Sequence, residues 1–420
     1  MTHAVEYAMM DGLFSASGGV LWRTLLGVSL AGMVSSTVYL GLALVAAVRN
    51  RRLSGQQSKA AIRVATTELP AVTVLKPLQG GEPRLKENLE SLFLQDYPAF
   101  EIVFGCRTAE DPALEVVERL CARYPRVAAR VVLAGAPQWP SAKVWSLDKM
   151  IAGSTNDYLV VSDSDILVGP DFLRNVIPPL LRPENGLVTC LYEGIPAPGF
   201  WSRLEALGMS VEMTSGVIMA DMLEGMQFAL GSVMAVRRDA LEACGGIAST
   251  AGYYADDFVL GNRVHSAGYR VVLSHYRVGH VLCARSFAAT FATQTRWMQS
   301  TLYSRPKGHL GTGLTFAVPF GLLGFAVAAA LGHPAVGCVL LGCSLLNRMV
   351  QSVAIGYGVI GDRRALRLCW LYPLRDLLGF VVWVASYCGG SSFRWRGELY
   401  RFTAGGRIVS VARQSEPHPD

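Results

Sequence analysis

The stretch Leu159-Val160-Val161-Ser162-Asp163-Ser164-Asp165 decides how the chain is read. An apolar run ends abruptly in two carboxylates one residue apart, the pattern of a buried strand that delivers a cation-binding site to the edge of a sheet. Side chains alternate along a strand, so Asp163 and Asp165 are expected on one face and Ser164 on the other. Hard oxygen donors suit Mg2+ or Mn2+, ions that commonly neutralise substrate phosphates. The same triplet also occurs in exposed turns, and the surrounding chain has to separate the two readings.

Outward from this stretch, strands and helices alternate. Upstream lie Val72-Thr73-Val74-Leu75, a helix with Leu85, Leu89, Leu92 and Phe93 on one face, the strand Glu101 to Cys106, and a helix opened by Asp111-Pro112. Val131-Val132-Leu133 is a further strand, residues 141–152 a helix, and 157–162 the strand that carries the two acids. This order predicts an α/β fold with a mostly parallel, Rossmann-like sheet and ligands at the carboxyl ends of its strands. No G-x-G-x-x-G follows the first strand, and Gly80-Gly81 reads only as a turn, which argues against a dinucleotide oxidoreductase. Downstream, residues 187–193 resume strand character, and 200–230 is Met-rich and amphipathic, either core filler or an adaptable surface lying against lipid. Gly231 to Arg238 reads as a strand, Tyr253 to Phe258 as a cleft wall bearing Asp256 and Asp257, and 257–267 as a helix.

Of the 420 residues, 51% are hydrophobic and 17% charged, and the mean hydropathy is +0.32. That is too apolar for an ordinary soluble protein and places part of the chain in a bilayer. The sequence divides into a membrane anchor at 1–50 with a span at 24–48, a linker at 51–70, a catalytic block at 71–309, a membrane block at 310–391 and a cytoplasmic tail at 392–420. Within the membrane block the expected spans are 314–331, 335–359 and a weaker 371–387 containing Pro373, Arg375 and Asp376. Arg49, Arg51 and Arg52 follow the first span and set its end in the cytoplasm. Three full C-terminal spans would put Arg394, Arg396 and Arg401 outside, against the positive-inside rule, so 371–391 is expected to be re-entrant or interfacial. The net charge of +6 belongs to juxtamembrane anchors, and no pattern for nucleic-acid binding is present. Nine scattered cysteines without a C-x-x-C pair read as reduced core or membrane residues.

Four pieces then coincide in order: Glu110-Asp111, Asp163-Ser164-Asp165, Asp257 within Ala255-Asp256-Asp257-Phe258, and Gln294-Thr295-Arg296-Trp297. Together with Val74-Leu75-Lys76-Pro77, Gln95-Asp96-Tyr97-Pro98, Gly186 to Tyr192 and Trp395-Arg396-Gly397, the series resembles family 2 and family 21 glycosyltransferases. More narrowly it is similar to ceramide glucosyltransferases and the hopanoid-biosynthesis-associated glycosyltransferases of bacteria. The resemblance implies a GT-A catalytic domain flanked by transmembrane helices, a UDP-sugar donor, a lipid acceptor (ceramide with glucose, or a hopanoid polyol with N-acetylglucosamine), and a multi-pass protein of a bacterial inner membrane with its catalytic domain in the cytoplasm. It implies roles as well. Asp111 would meet the uracil or ribose, besides capping its helix; Lys143 would pair with phosphate; Asp163 and Asp165 would hold a metal-bound diphosphate, with Mn2+ or Mg2+ as the cofactor. Asp257 would be the general base, Arg296 a partner of the diphosphate and Trp297 a packing surface for acceptor or sugar. Two departures stand out: Thr293 occupies the first position of the family's Q-x-x-R-W, with Gln294 displaced by one, and Val144-Trp145-Ser146-Leu147 lacks the usual Asn. The first departure argues against a polysaccharide synthase.

Competing chemistries fit less well. A glycoside hydrolase sets two carboxylates across the scissile bond, and Asp256 and Asp257, as neighbours on a strand, would point to opposite faces. A two-metal phosphotransferase is compatible with the acids alone. A transporter puts its chemistry between membrane helices, whereas here the acids lie in the soluble block; a non-catalytic membrane scaffold is the alternative from another class.

Overall fold

In the computed structural model, which describes residues 2–62, 64, 69–283, 285–395 and 398–411, the first element is a helix, α1 (Thr2–Ile62). Its segment Gly19–Ala61 is long and apolar enough to cross a membrane. The expected linker at 51–70 is helical as far as Ile62, because Gln56, Gln57, Lys59, Ala60 and Ala61 are good helix formers with no proline to stop them. Gln57 donates to the carbonyl of Leu273 at 3.1 Å, so the extension rests on the domain that follows.

That domain is built on β1 (Val72–Pro77), α2 (Leu85–Phe93), β2 (Phe100–Cys106), α3 (Ala113–Arg123), β3 (Ala128–Leu133), α4 (Ala142–Ala152) and β4 (Tyr158–Ser162). The strands pair in parallel in the order β3-β2-β1-β4. Their apolar runs are continuous because both faces are covered. Val74, Ile102 and Val160 pack with Leu89, Leu92 and Leu120 on one side, while Leu75, Val103, Leu159 and Val161 pack with Val144, Leu147 and Met150 on the other.

The second half continues with β5 (Ile166–Leu167), α5 (Phe172–Val176), β6 (Asn185–Ile195), α6 (Phe200–Gly208), α7 (Thr214–Leu223), β7 (Val233–Arg237), α8 (Arg238–Ala243), α9 (Asp256–Ser266) and β8 (Arg270–Val281). The full order is β3-β2-β1-β4-β7-β6-β8-β5. The pairs β4–β7, β7–β6 and β8–β5 are antiparallel and β6–β8 is parallel, so the sheet is mixed beyond β4. The α/β architecture expected from the sequence is therefore the one observed, with antiparallel pairing added on one side. Asp256 and Asp257 open α9 instead of lying on a strand, which removes the alternation argument used to separate their side chains; acids in a first turn also suit the helix dipole. The Met-rich stretch is α6 and α7 joined by a π-helical turn, Met209–Met213. It is apolar enough to count as a span, but 56% of it is buried inside the protein against 33% for α1, as befits a wall and not a lipid-facing helix.

α10 (Phe287–Ser304) leads into α11 (Pro306–Gly313), α12 (Val318–Ala330), α13 (Pro334–Gln351), α14 (Arg363–Arg367) and α15 (Tyr372–Cys388). α11 and α12 meet at a bend of 42°, and α13 with its π-helical continuation, Pro334–Ile360, is a candidate span. The charges in α15 are paired internally: Asp376 accepts from the backbone N–H groups of Ala317 and Val318 at 3.0 and 2.8 Å and faces Arg348 at 3.2 Å. Cutting a buried pair on one side leaves an uncompensated charge. Arg348→Ala is therefore expected to lower stability by about 3–5 kcal/mol, read as an earlier unfolding midpoint in micelles; an unchanged midpoint would contradict this packing.

The stretch expected as a tail from residue 392 is instead a sheet of β9 (Ser392–Trp395), β10 (Glu398–Thr403) and β11 (Arg407–Ser410). It docks on the α/β domain through Ile408 N–H to Gly252 O at 2.8 Å and Tyr254 N–H to Gly406 O at 3.3 Å. Phe393, Tyr400, Phe402 and Ile408 give it a small core shared with Tyr254 and Tyr303. Arg396 and Gly397 of the Trp395 motif, and the loose end expected at 411–420 beyond Val411, lie outside the described residues.

Candidate active site

β4 ends at Ser162, and Asp163-Ser164-Asp165 forms a turn closed by Ile166 N–H to Asp163 O at 3.2 Å. Strand alternation therefore stops before the triplet. All three residues line one cavity, and Ser164, expected to point away, donates its hydroxyl to Glu82. Lys76 lies beneath the turn with its side chain completely buried. Its ammonium donates to Ser162 Oγ at 3.1 Å, to the carbonyl of Asp163, and to that of Ile166 at 3.5 Å. Burial drags this amine down to about 8 against the pull of Asp165 and Asp163.

Above the turn the acids are matched with cations. Lys143, from α4, reaches Asp163 Oδ1 at 2.7 Å and Asp256 Oδ2 at 3.7 Å. Its burial opposes the charge, yet the carboxylates around it raise the amine above the ordinary lysine range. His280, at the end of β8, meets Asp165 Oδ2 at 3.1 Å. Burial would push the Asp165 carboxyl up, but His280 and Lys76 outweigh it and hold the group at about 2. Asp257 is pushed the other way, by burial first and then by Asp256, to about 6. A Cβ added to Gly231 would meet Asp257 Oδ2 at 2.9 Å, so a glycine there gives the carboxylate its room. Two acids of one pocket are thus displaced in opposite directions from the ordinary carboxylate range, Asp165 below it and Asp257 above it.

The cavity measures about 940 Å³. Asp163, Asp165, Lys143, Asp257 and Trp297 line it together; Asp111 and Arg296 are not among its lining residues. The Asp111 carboxylate accepts from Gly80 N–H at 3.0 and 3.1 Å and from Ala113 N–H at 2.9 Å, and so fixes the turn beside Gln79, which does line the cavity. Arg296 donates to Tyr254 Oη at 2.9 Å and to Arg394 O at 3.4 Å, tying α10 to the C-terminal sheet. Sequence reasoning passed over Glu82, Arg107, His280, Glu205, Glu212 and Arg375, all on the cavity wall. Of these, Arg375 had left a signal, a charge set inside an apolar segment, as had the buried Lys76 inside its apolar strand.

Among the described residues no group of three or more His, Cys, Asp and Glu side chains is arranged to hold a metal alone. The donors nonetheless fit a hard divalent cation shared with ligand oxygens, since such ions are often held by one or two carboxylates plus substrate phosphates. Asp165 Oδ1 is buried without a hydrogen-bond partner, and Asp163 lies in the same turn.

The profile of glycosyl transferase family 21 matches residues 28–408. The chain belongs to this family. It is 23% identical over 351 residues to ceramide glucosyltransferase 3 of Caenorhabditis elegans, covering 82% of this chain and 75% of that protein. It is 30% identical to the ceramide glucosyltransferase of Komagataella phaffii over 168 residues, 39% of this chain and 33% of that one. Among solved structures, the mannosyltransferase PcManGT from Pyrobaculum calidifontis, in complex with GDP-Man and Mn2+, aligns over 86% of this chain and 98% of its own at 19% identity and a TM-score of 0.47. Glucosyl-3-phosphoglycerate synthase from Mycobacterium tuberculosis, solved with Mn2+, UDP and phosphoglyceric acid, aligns over 57% and 81% at 17% identity and a TM-score of 0.38. This family 21 chain is thus a glycosyltransferase with apolar helices suited to membrane association.

Proposed function

We propose that the enzyme moves one sugar from a UDP-sugar to a hydroxyl of a membrane lipid, by a single displacement that inverts the anomeric carbon. The observation that carries this reading is the continuity of the cavity. One and the same cavity is lined by Lys143, Asp163, Asp165, Asp257 and His280 and by Met213, Val217, Met219, Phe316 and Val382, so a charged cluster and an apolar wall share one space. A soluble sugar acceptor has no use for such a wall, whereas a lipid is already concentrated beside it. The relatives named ceramide glucosyltransferase support the same acceptor class.

Each residue has a share in this proposal. Asp163 and Asp165, with His280 beside them, would hold Mn2+ or Mg2+, which when bound supplies charge neutralisation for the leaving diphosphate. Lys143 pairs with phosphate oxygens, while Asp111 holds the Gly80 turn against which the nucleoside lies. Asp257 takes the proton of the acceptor hydroxyl as its oxygen bonds to the anomeric carbon and the bond to UDP breaks. Trp297 offers a flat apolar face to acceptor or sugar, and Arg296 secures the wall on which it stands.

The C-terminal sheet docks on the catalytic domain, which brings both ends of the membrane block to one side. With the basic residues after α1, this supports two C-terminal crossings, a re-entrant or interfacial α15, and a catalytic domain in the cytoplasm. Membranes containing the protein, given radiolabelled UDP-glucose or UDP-N-acetylglucosamine, are expected to yield a labelled organic-soluble lipid. Label found only in water-soluble oligosaccharide would overturn the acceptor assignment.

A further inference from the structure

Two parts of the site that lie far apart in sequence, Asp257 at the start of α9 and the Arg296-Trp297 pair of α10, meet at Tyr254. This residue precedes Asp257 by three positions. Its hydroxyl accepts from Arg296 Nε at 2.9 Å and from the indole N–H of Trp297. Tyr254, Asp257 and Trp297 all line the cavity.

The segment that leads into α9 is held from outside it. Ser141 N–H reaches Ala251 O at 3.1 Å, Ile408 N–H reaches Gly252 O at 2.8 Å and Tyr254 N–H reaches Gly406 O at 3.3 Å. α9 itself opens without a side-chain cap, so these contacts set the course of its first turn, which carries Asp257. Two of the three come from the C-terminal sheet, and that sheet, with the turn before it, also grips α10. Arg296 Nη1 donates to Arg394 O at 3.4 Å, Gln299 Nε2 donates to Gly390 O at 3.2 Å, and a Cβ at Gly406 would collide with the Ser304 hydroxyl. The Tyr254 ring stands edge-on to Phe393 and Phe402, 5.4 Å from each. A phenylalanine would fill that aromatic pocket equally well, and what the hydroxyl adds is its bond to Arg296 and Trp297.

We propose that Tyr254 is a positioning residue for sugar transfer: it fastens the loop that aims Asp257 to the Arg296-Trp297 pair, and the C-terminal sheet sets that fastening. A sheet that follows the last helix of the membrane block thereby takes part in building the active site of the α/β domain. Tyr254 itself moves no proton; it acts through Asp257. This rests on the assignment of Asp257 as general base made above.

The test uses the full chain in micelles, with label carried from UDP-glucose or UDP-N-acetylglucosamine into lipid as the measure of kcat at saturating donor. Tyr254→Phe keeps the ring and removes the hydroxyl. It is expected to lower kcat about 10- to 100-fold, the range of a hydrogen bond to a charged group, while UDP affinity stays within about twofold and the unfolding midpoint is unchanged. The decisive readout is a double-mutant cycle. In the Asp257→Asn enzyme no base remains to be aimed, so the same substitution should lower turnover by less than about threefold, whereas simple bracing would lower it equally in both backgrounds. Gly406→Ala reads the same fastening from the side of the sheet and should show the same dependence on Asp257, even if Tyr254→Phe fails to fold. An equal loss in both backgrounds, or full turnover by Tyr254→Phe and by Gly406→Ala, overturns the inference and leaves the base assignment intact. Undiminished turnover by Asp257→Asn alone overturns the base assignment itself.

Discussion

Asp257→Asn is expected to leave the protein folded and able to bind UDP, and to reduce turnover about 100- to 10,000-fold, the usual contribution of a general base. The replacement is nearly isosteric, so the room left by Gly231 still accommodates it. It cannot accept the acceptor's proton. The same assignment fixes a pH dependence. With the Asp257 carboxyl at about 6, the base is ionised by about ten to one at pH 7 and protonated by a similar ratio at pH 5. Turnover should therefore fall as pH drops through about 6, and the asparagine variant should lose that limb of the profile. If the variant retains more than half of wild-type turnover at neutral pH, Asp257 is not the base.

Asp165→Ala should fail in a different manner. It removes the carboxylate whose Oδ1 is buried and unpartnered and whose Oδ2 faces His280. Loss of a ligand to a shared cation costs several kcal/mol of charge stabilisation, so activity should fall about 100-fold or more. The loss should appear as weaker UDP-sugar binding that added Mn2+ partly restores. EDTA on the wild type should imitate it, with protection by UDP against thermal unfolding lost together with activity. Indifference to EDTA in both readouts would remove the cation from the account.

How much of this could be read from sequence follows from what each element shows to a solvent-averaged pattern. β1, β2 and β4 are covered on both faces, so their apolar runs were plain, and Asp163 and Asp165 stood out against them. β8 was missed because Ser274, His275, Tyr276 and Arg277 break its apolar run, and β6 shifts register between Cys190 and Leu191 where the two pair; His280 went with it. Asp256 and Asp257 were treated as strand neighbours in weighing a hydrolase, whereas both open the helix expected over 257–267, which begins one residue earlier, at Asp256. The C-terminal strands are short, and their core of Phe393, Tyr400, Phe402 and Ile408 forms only once they pair and dock. Pairs such as Arg375 with Glu212, or Arg348 with Asp376, join segments far apart in the chain, and no local pattern encodes their meeting. The acids proposed to carry the chemistry are local features of the chain; the groups that surround them are products of the fold.

The most direct test of the central claim is the product of purified enzyme in detergent micelles, supplied with UDP-glucose or UDP-N-acetylglucosamine and with ceramide, diacylglycerol and hopanoid acceptors, resolved by mass spectrometry and by the anomeric coupling in NMR. The account predicts a lipid carrying one added sugar, joined with inverted configuration relative to the donor. A lipid bearing a ladder of sugars, a water-soluble oligosaccharide, or a product of retained configuration would contradict it.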